Sequence, residues 1–238
     1  MTIIHDRNHR GVSKTGWLDS QHTFSFGNFR DPNRMGVESL RVINEDRVIP
    51  GAGFATHGHQ DMEILTYVLS GALAHKDSLG NGSIIRPGEI QRMSAGTGIR
   101  HSEMNASDTA PVHFLQIWIE PSERGIAPSY EQVELINSAG HGGFTLIAGP
   151  NGGEGAVSLH QDARIWLARP AEGTTVSLPS GANRAGFLQV VAGQVDINGE
   201  ALRAGDGLEL SDVRPLDITA ETDAELIFFD LAKKSIVN

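Results

Sequence analysis

Two short runs of this sequence hold metal-capable side chains at a spacing of two. Gly51-Ala52-Gly53-Phe54-Ala55-Thr56-His57-Gly58-His59 carries a pair of imidazoles, and Arg100-His101-Ser102-Glu103 carries an imidazole and a carboxylate. On a β-strand, residues i and i+2 point to the same face, so each pair can reach one interior point. Two such strands, neighbours in a barrel, would bring three nitrogens and one oxygen together. A six-coordinate ion held this way keeps positions open for a substrate and a small second ligand. The donor set suits Fe(II), Ni, Co, Mn, Cu or Zn, and the absence of cysteine removes thiolate sites. One carboxylate against a divalent ion leaves a net charge of about +1, which favours an enolate or phenolate substrate. A lone His-x-His is ordinarily a surface pair. The second His/Glu pair, about forty residues on and followed by Asn105, argues for a ligand, because ionisable groups are rarely buried together without one.

The remaining candidates receive plainer readings. His113 lies in the apolar run Val112–Ile119 and reads as a packed sheet residue. His75, near Asp77, reads as a strand-end residue facing water. His5, His9, His22, His141 and His160 have no partner at ligand spacing and are taken as structural. Phe24, Phe26 and Phe29 are assigned to the core in preference to a pocket wall. The glycine-rich stretch Gly149–Gly155 lacks the Gly-Lys-Ser/Thr ending of a phosphate loop and is read as a turn. No Gly-x-Ser-x-Gly elbow is present to support a serine hydrolase.

What must position the metal-capable residues is a set of brief strands. Leu65–Leu69, Leu73–His75, Ile84-Ile85 and Val112–Ile119 are separated by Gly-, Pro- and Asn-containing turns, the pattern of a sandwich or jelly roll. The best helical candidate is Ser129–Ile136, with Ser129 as N-cap and Gln132 completing a capping box, in the connection between the halves. Ser70-Gly71-Ala72-Leu73 is echoed by Ala192-Gly193-Gln194-Val195. Arg86-Pro87-Gly88-Glu89 is echoed by Arg203-Ala204-Gly205-Asp206, and both pairs stand about 120 residues apart. Two copies of one β fold are predicted. All ten histidines fall at or before His160, and Pro179 and Gly181 are read as the counterparts of His57 and His59. The second copy is therefore expected to keep the scaffold without the chemistry.

With 39% hydrophobic and 20% charged residues the 238-residue chain can bury real cores and is not disordered. The net charge of −10, with no Lys/Arg cluster longer than Lys233-Lys234, disfavours direct nucleic-acid binding and adhesion to anionic membrane. The opening residues lack the apolar stretch of a secretory signal, and no run approaches the ~20 apolar residues needed to span a bilayer. A cytosolic location is the expectation.

On its motifs the sequence resembles the cupin superfamily. Gly51, then His57-x-His59 and Glu63, match the first cupin motif, and Gly88 through Asn105, with His101, resembles the second. Gly71 stands one residue beyond its usual place, Ser94 replaces the usual proline, and two extra residues precede His101. Those departures fit the pirin branch, and the likeness is greatest to bacterial pirin-like quercetinases. It is carried by His22–Phe29, Met62–Leu69, His75–Gly80, Phe114–Ile119 and His160–Ala163, so it spans almost the whole chain.

The resemblance implies an all-β chain of two tandem cupin (double-stranded β-helix, jelly-roll) domains. A metal-binding one would cover residues 1–128 and a degenerate one, without ligands, 129–238. It implies one divalent transition metal, with Fe(II) favoured, on His57, His59, His101 and Glu103. It also implies dioxygen-dependent opening of the central ring of a flavonol such as quercetin, with release of carbon monoxide. Glu103 or Glu63 would serve as general base. Glu63 occupies a ligand position in many cupins; Glu103 is preferred as ligand here because it shares a strand face with His101, leaving Glu63 to orient an imidazole. A flavonol-like aromatic and O2 are the implied partners. Pirins are also associated with transcriptional co-regulation, so a metal-containing regulatory protein acting through protein partners is the competing reading. A sealed site would favour it over the enzyme. A cupin of another chemistry, such as an isomerase, is a third.

Overall fold

The computed structural model describes residues 2–135, 143–179, 181 and 183–234. The expectations placed on Ile136 and His141 lie outside the described residues. The first half contributes β1 (Thr2–His5), β2 (Gly11–Lys14), β3 (Leu18–His22), β4 (Leu40–Val48), β5 (Gly53–His59) and β6 (Glu63–Ser70). It continues with β7 (Leu73–Asp77), β8 (Gly82–Ile85), β9 (Glu89–Ser94), β10 (Ile99–Asn105), β11 (Val112–Ile119) and β12 (Ser129–Glu134). The second half contributes β13 (Thr145–Gly149), β14 (Val157–Ser158), β15 (Ala163–Ala168), β16 (Thr175–Ser177) and β17 (Arg184–Ala192). It ends with β18 (Gln194–Ile197), β19 (Glu200–Arg203), β20 (Gly207–Leu210), β21 (Asp217–Ala220) and β22 (Glu225–Ala232). Among the described residues there is no α-helix, and no helix is long and apolar enough to cross a membrane.

Each half builds a seven-stranded sheet facing a four-stranded one. The first pair runs β12-β9-β6-β11-β4-β3-β2 over β5-β10-β7-β8, and the second β1-β20-β17-β22-β15-β13-β14 over β16-β21-β18-β19. The two orders correspond position for position, except that β14 runs parallel to β13 where β2 is antiparallel to β3, and this is the duplication anticipated from the turns. Relative to the expected boundary after residue 128 the edge strands are exchanged: β1 completes the second large sheet by pairing with β20, and β12 completes the first by pairing with β9.

Segment 129–134 is thus a strand, not the anticipated helix. The edge of β9 offers a row of backbone donors and acceptors that β12 satisfies, which outweighs a capping signal worth about 1 kcal/mol. Tyr130 and Gln132 meet side by side, Oη to Oε1 at 2.7 Å, as residues two apart on a strand do. The strand in the place of β5 in the second copy is β16, which ends at Ser177. Pro179 and Gly181 lie just beyond it, outside any strand, and neither carries a metal-capable side chain. The second barrel is packed with Val176, Leu188, Val195, Ile218, Ala220 and Phe228, which leaves its interior apolar.

Alternation along the first large sheet separates two environments. Leu65 and Tyr67 of β6 and Leu115, Ile117 and Ile119 of β11 join Ile165, Phe187, Ile227 and Phe229 in one core between the two large sheets. The opposite faces of β4, β6 and β11 point into the first barrel, and there polar groups appear: Asn44, Asp46, Thr66 and Gln116.

Candidate metal centre

β5 and β10 are antiparallel neighbours with His57 opposite His101, as two ligand-bearing strands require. The register then shifts, so that Glu103 faces Phe54. The extra residue sits on β5, a bulge that turns Phe54 to the same side as His57 and His59. Gly53 makes the approach feasible: a Cβ there would lie 2.2 Å from the Glu103 carbonyl oxygen.

The ring nitrogens of His57, His59 and His101 lie within 4.8 Å of one another. His57 Nδ1 stands 2.8 Å from the Ala55 carbonyl oxygen, and since a carbonyl only accepts, Nδ1 carries the proton. The lone pair of His57 Nε2 therefore faces His101 Nε2 at 3.0 Å. His59 Nε2 is buried without a hydrogen-bond partner. Burial, and then the neighbouring His57, push the His59 imidazole down to about 4; burial, followed by the surrounding imidazoles, pushes His101 down to about 2. Neutral, convergent imidazoles with an orphaned buried nitrogen fit a divalent cation.

Glu103 stands outside the imidazole cluster but lines the same cavity. Its oxygens accept from Gln116 Nε2 at 3.1 and 3.3 Å and from Thr66 Oγ1 at 3.4 Å. Burial pushes this carboxyl up to about 7, with the charge of Asp46 adding to the effect. The structure does not bring Glu63 to the site. On β6 it shares a face with Leu65 and Tyr67, toward the second barrel, where its Oε2 accepts from the backbone and ring of His160 at 3.2 and 3.3 Å.

The cavity holds about 400 Å³, within the range of small-molecule sites. Trp17, Leu18, Phe26, Phe54 and Trp118 wall it, and Ser13, Ser20, His22, Asn44, Asp46 and Gln116 supply polar groups. His57 and His59 are partly exposed, so the cavity reaches solvent. Phe26 is a wall residue rather than core, whereas Phe24 is core as expected. His22 Nδ1 donates to Asn44 Oδ1 at 2.8 Å, leaving Nε2 to accept from Ser13 Oγ at 2.9 Å. Asp46, Asn44 and Gln116 escaped notice in the sequence, although a single amide, Gln116, inside the apolar run Phe114–Ile119 is a usable signal. His113 bonds Glu45 on the outer face of the sheet at 3.0 Å, a sheet residue as read. His75 does not face water: it is 1% exposed and lies behind His101, because β10 and the ring of Tyr130 cover it.

Comparison with known proteins gives a consistent result. A family model described as pirin matches residues 5–119, and one described as the quercetinase C-terminal cupin domain matches 146–231. The chain is 46% identical over 233 residues to a quercetin 2,3-dioxygenase of Escherichia coli K12, covering 97% of this chain and 99% of the relative. It is 42% identical to a pirin-like protein of Caulobacter vibrioides, covering 93% and 96%. The crystal structure of bacterial pirin YhhW from Escherichia coli in complex with nickel(II) superposes with a TM-score of 0.92 at 45% identity, covering 98% of this chain and 100% of that one. Likeness of this degree over nearly the full length leads to one conclusion: the chain belongs to the pirin family.

Proposed function

We propose that the protein is a metal-dependent dioxygenase that opens the central ring of flavonols such as quercetin. The observation that carries the reading is three convergent imidazoles, two of which line an aromatic-walled cavity of about 400 Å³ that reaches solvent. A sealed site would have favoured a purely regulatory protein. The name of the Escherichia coli relative supports the same substrate class.

His57, His59, His101 and Glu103 would hold the ion, with iron(II) the expected metal and nickel(II) the natural comparison. When bound, the ion supplies Lewis acidity toward the substrate hydroxyl and a site for dioxygen chemistry. The side chains do the rest. Trp17, Phe54 and Trp118 grip a flat bicyclic ring system and exclude water from it. Glu103, a buried carboxylate lining the cavity, takes the proton from the flavonol hydroxyl. Gln116 and Thr66 fix the direction of that carboxylate.

Incubating quercetin aerobically with iron- or nickel-loaded protein should bleach the flavonol absorption band and release carbon monoxide. Glu103→Gln should lower the rate by roughly 100-fold or more. A protein with stoichiometric metal that turns over no flavonol with any of the six candidate ions would end this proposal.

A further inference from the structure

His101 is backed by a second imidazole and a carboxylate. His75 Nδ1 lies 3.5 Å from His101 Nδ1, and His75 Nε2 lies 3.2 Å from Asp77 Oδ2. The side chains of His75 and Asp77 are both fully buried. Asp77 is fixed in turn by the turn that joins β7 to β8. Its Oδ1 accepts from the backbone N–H groups of Leu79 and Asn81 at 2.9 and 3.0 Å, and its Oδ2 from Asn81 Nδ2 at 2.9 Å.

These contacts determine where each ring proton sits. A carboxylate that already takes three N–H donors can only accept, so His75 Nε2 carries a hydrogen. A neutral His75 then presents a bare Nδ1 to His101. Two bare nitrogens would repel at that distance, so His101 Nδ1 must be the donor, and His101 Nε2 is left with its lone pair. That lone pair faces the bare Nε2 of His57 at 3.0 Å, the His57 ring proton being committed on Nδ1 to the Ala55 carbonyl; here the repulsion would be relieved by the cation the two nitrogens share, which His75, outside the ligand cluster, cannot reach.

We propose that His75 and Asp77 are positioning residues that hold His101 in the Nδ1–H tautomer, aim its Nε2 at the ion and thereby set the affinity of the centre. The inference rests on the reading of His57, His59 and His101 as metal ligands. An ordinary carboxylate–histidine–metal arrangement has two members behind the ion; this chain interposes a second imidazole, so the negative charge is kept one ring farther from the ion.

The test uses zinc(II) as a diamagnetic probe and the full chain. Long-range proton–nitrogen NMR of the imidazoles in the zinc-loaded protein should show His101 protonated at Nδ1 and His75 at Nε2. Competition with a chromophoric chelator should show zinc affinity falling roughly 10- to 100-fold in His75→Phe, which keeps the ring and loses the acceptor. His75→Asn, whose Oδ1 stands close to the position of the imidazole Nδ1, should restore most of it. Unchanged melting of the metal-free variants separates this loss from misfolding, and the parent NMR measurement stands whether or not a variant folds. A His101 protonated at Nε2, or full zinc affinity in His75→Phe, overturns this inference and leaves the metal centre intact. A parent protein that binds no zinc overturns both.

Discussion

Asp46 is the residue whose environment is hardest to reconcile with a purely structural role. It is 3% exposed, lines the cavity, and its Oδ1 has no partner. Burial, reinforced by the charge of Glu45, pushes its carboxyl up to about 7 against the hydrogen bond from Ser20. In the unfolded chain it would titrate near 4. The native state therefore binds the extra proton between those values, and stability falls as pH rises through that window, the penalty being complete above about 7. Metal-free Asp46→Asn should be more stable than the parent at pH 8 by on the order of 1–3 kcal/mol, with the gap closing by pH 4. Urea denaturation at the two pH values measures it; an equal difference at both would count against the assignment. At this scale the sequence was informative where spacing alone decides. His57 and His59 are brought to one face by strand alternation, a local property, and His101 joins them through the pairing of β10 with β5. Glu63 and His75 were misplaced because the face of a strand that is covered depends on what packs there. The second barrel turns Glu63 away from the cavity, and β10 and β12 shield His75 from water.

Among the elements, the β5–β10 pair is the most demanding. The register shift opposite Glu103 and the bare Cα of Gly53 let the two strands close on one another. A methyl group at Gly53 would collide with the Glu103 carbonyl and the Met104 backbone, so β5 must move outward and carry His57 and His59 with it. Gly53→Ala should cost about 1–3 kcal/mol, and zinc affinity should fall about tenfold. Denaturant titration and chelator competition check the two effects separately, and retained affinity would mean that β5 yields without moving its imidazoles. Strand positions were legible from alternation and turns; the bulge was not, since nothing in Phe54-Ala55-Thr56 announces which residue goes unpaired. The fate of Ser129–Glu134 was also hidden. Its local signals allow a helix, and only the open edge of β9, distant in sequence, decides for a strand.

On the scale of the whole molecule the two barrels share a core. Leu65, Leu115 and Ile117 from one large sheet pack with Phe187, Ile227 and Phe229 from the other. Tyr67 Oη accepts from Arg169 Nη2 at 2.7 Å and donates to Glu225 across the same seam. His5 lies edge-on to Phe24 and Phe187, at centroid distances of 5.8 and 5.3 Å. With so much apolar surface in common, the halves should unfold together. Calorimetry should show a single transition, and Phe229→Ala should lower stability by roughly 3–5 kcal/mol while leaving one peak. Two resolved peaks would mean that the barrels are energetically separate. Duplication was readable from the paired Gly turns, whereas the exchange of edge strands was not, because no local feature of Thr2–His5 names a partner roughly 200 residues away.

That exchange has a bearing on how the chain comes into being. β1 is made roughly 200 residues before its partner β20, so a nascent polypeptide carries an unpaired β-strand while the intervening strands are synthesised. The exposed Ile3 and Ile4 make that strand a ready template for a neighbouring nascent chain. Translation speed and chaperone supply, more than the equilibrium stability of the finished barrels, would then govern the yield of native protein.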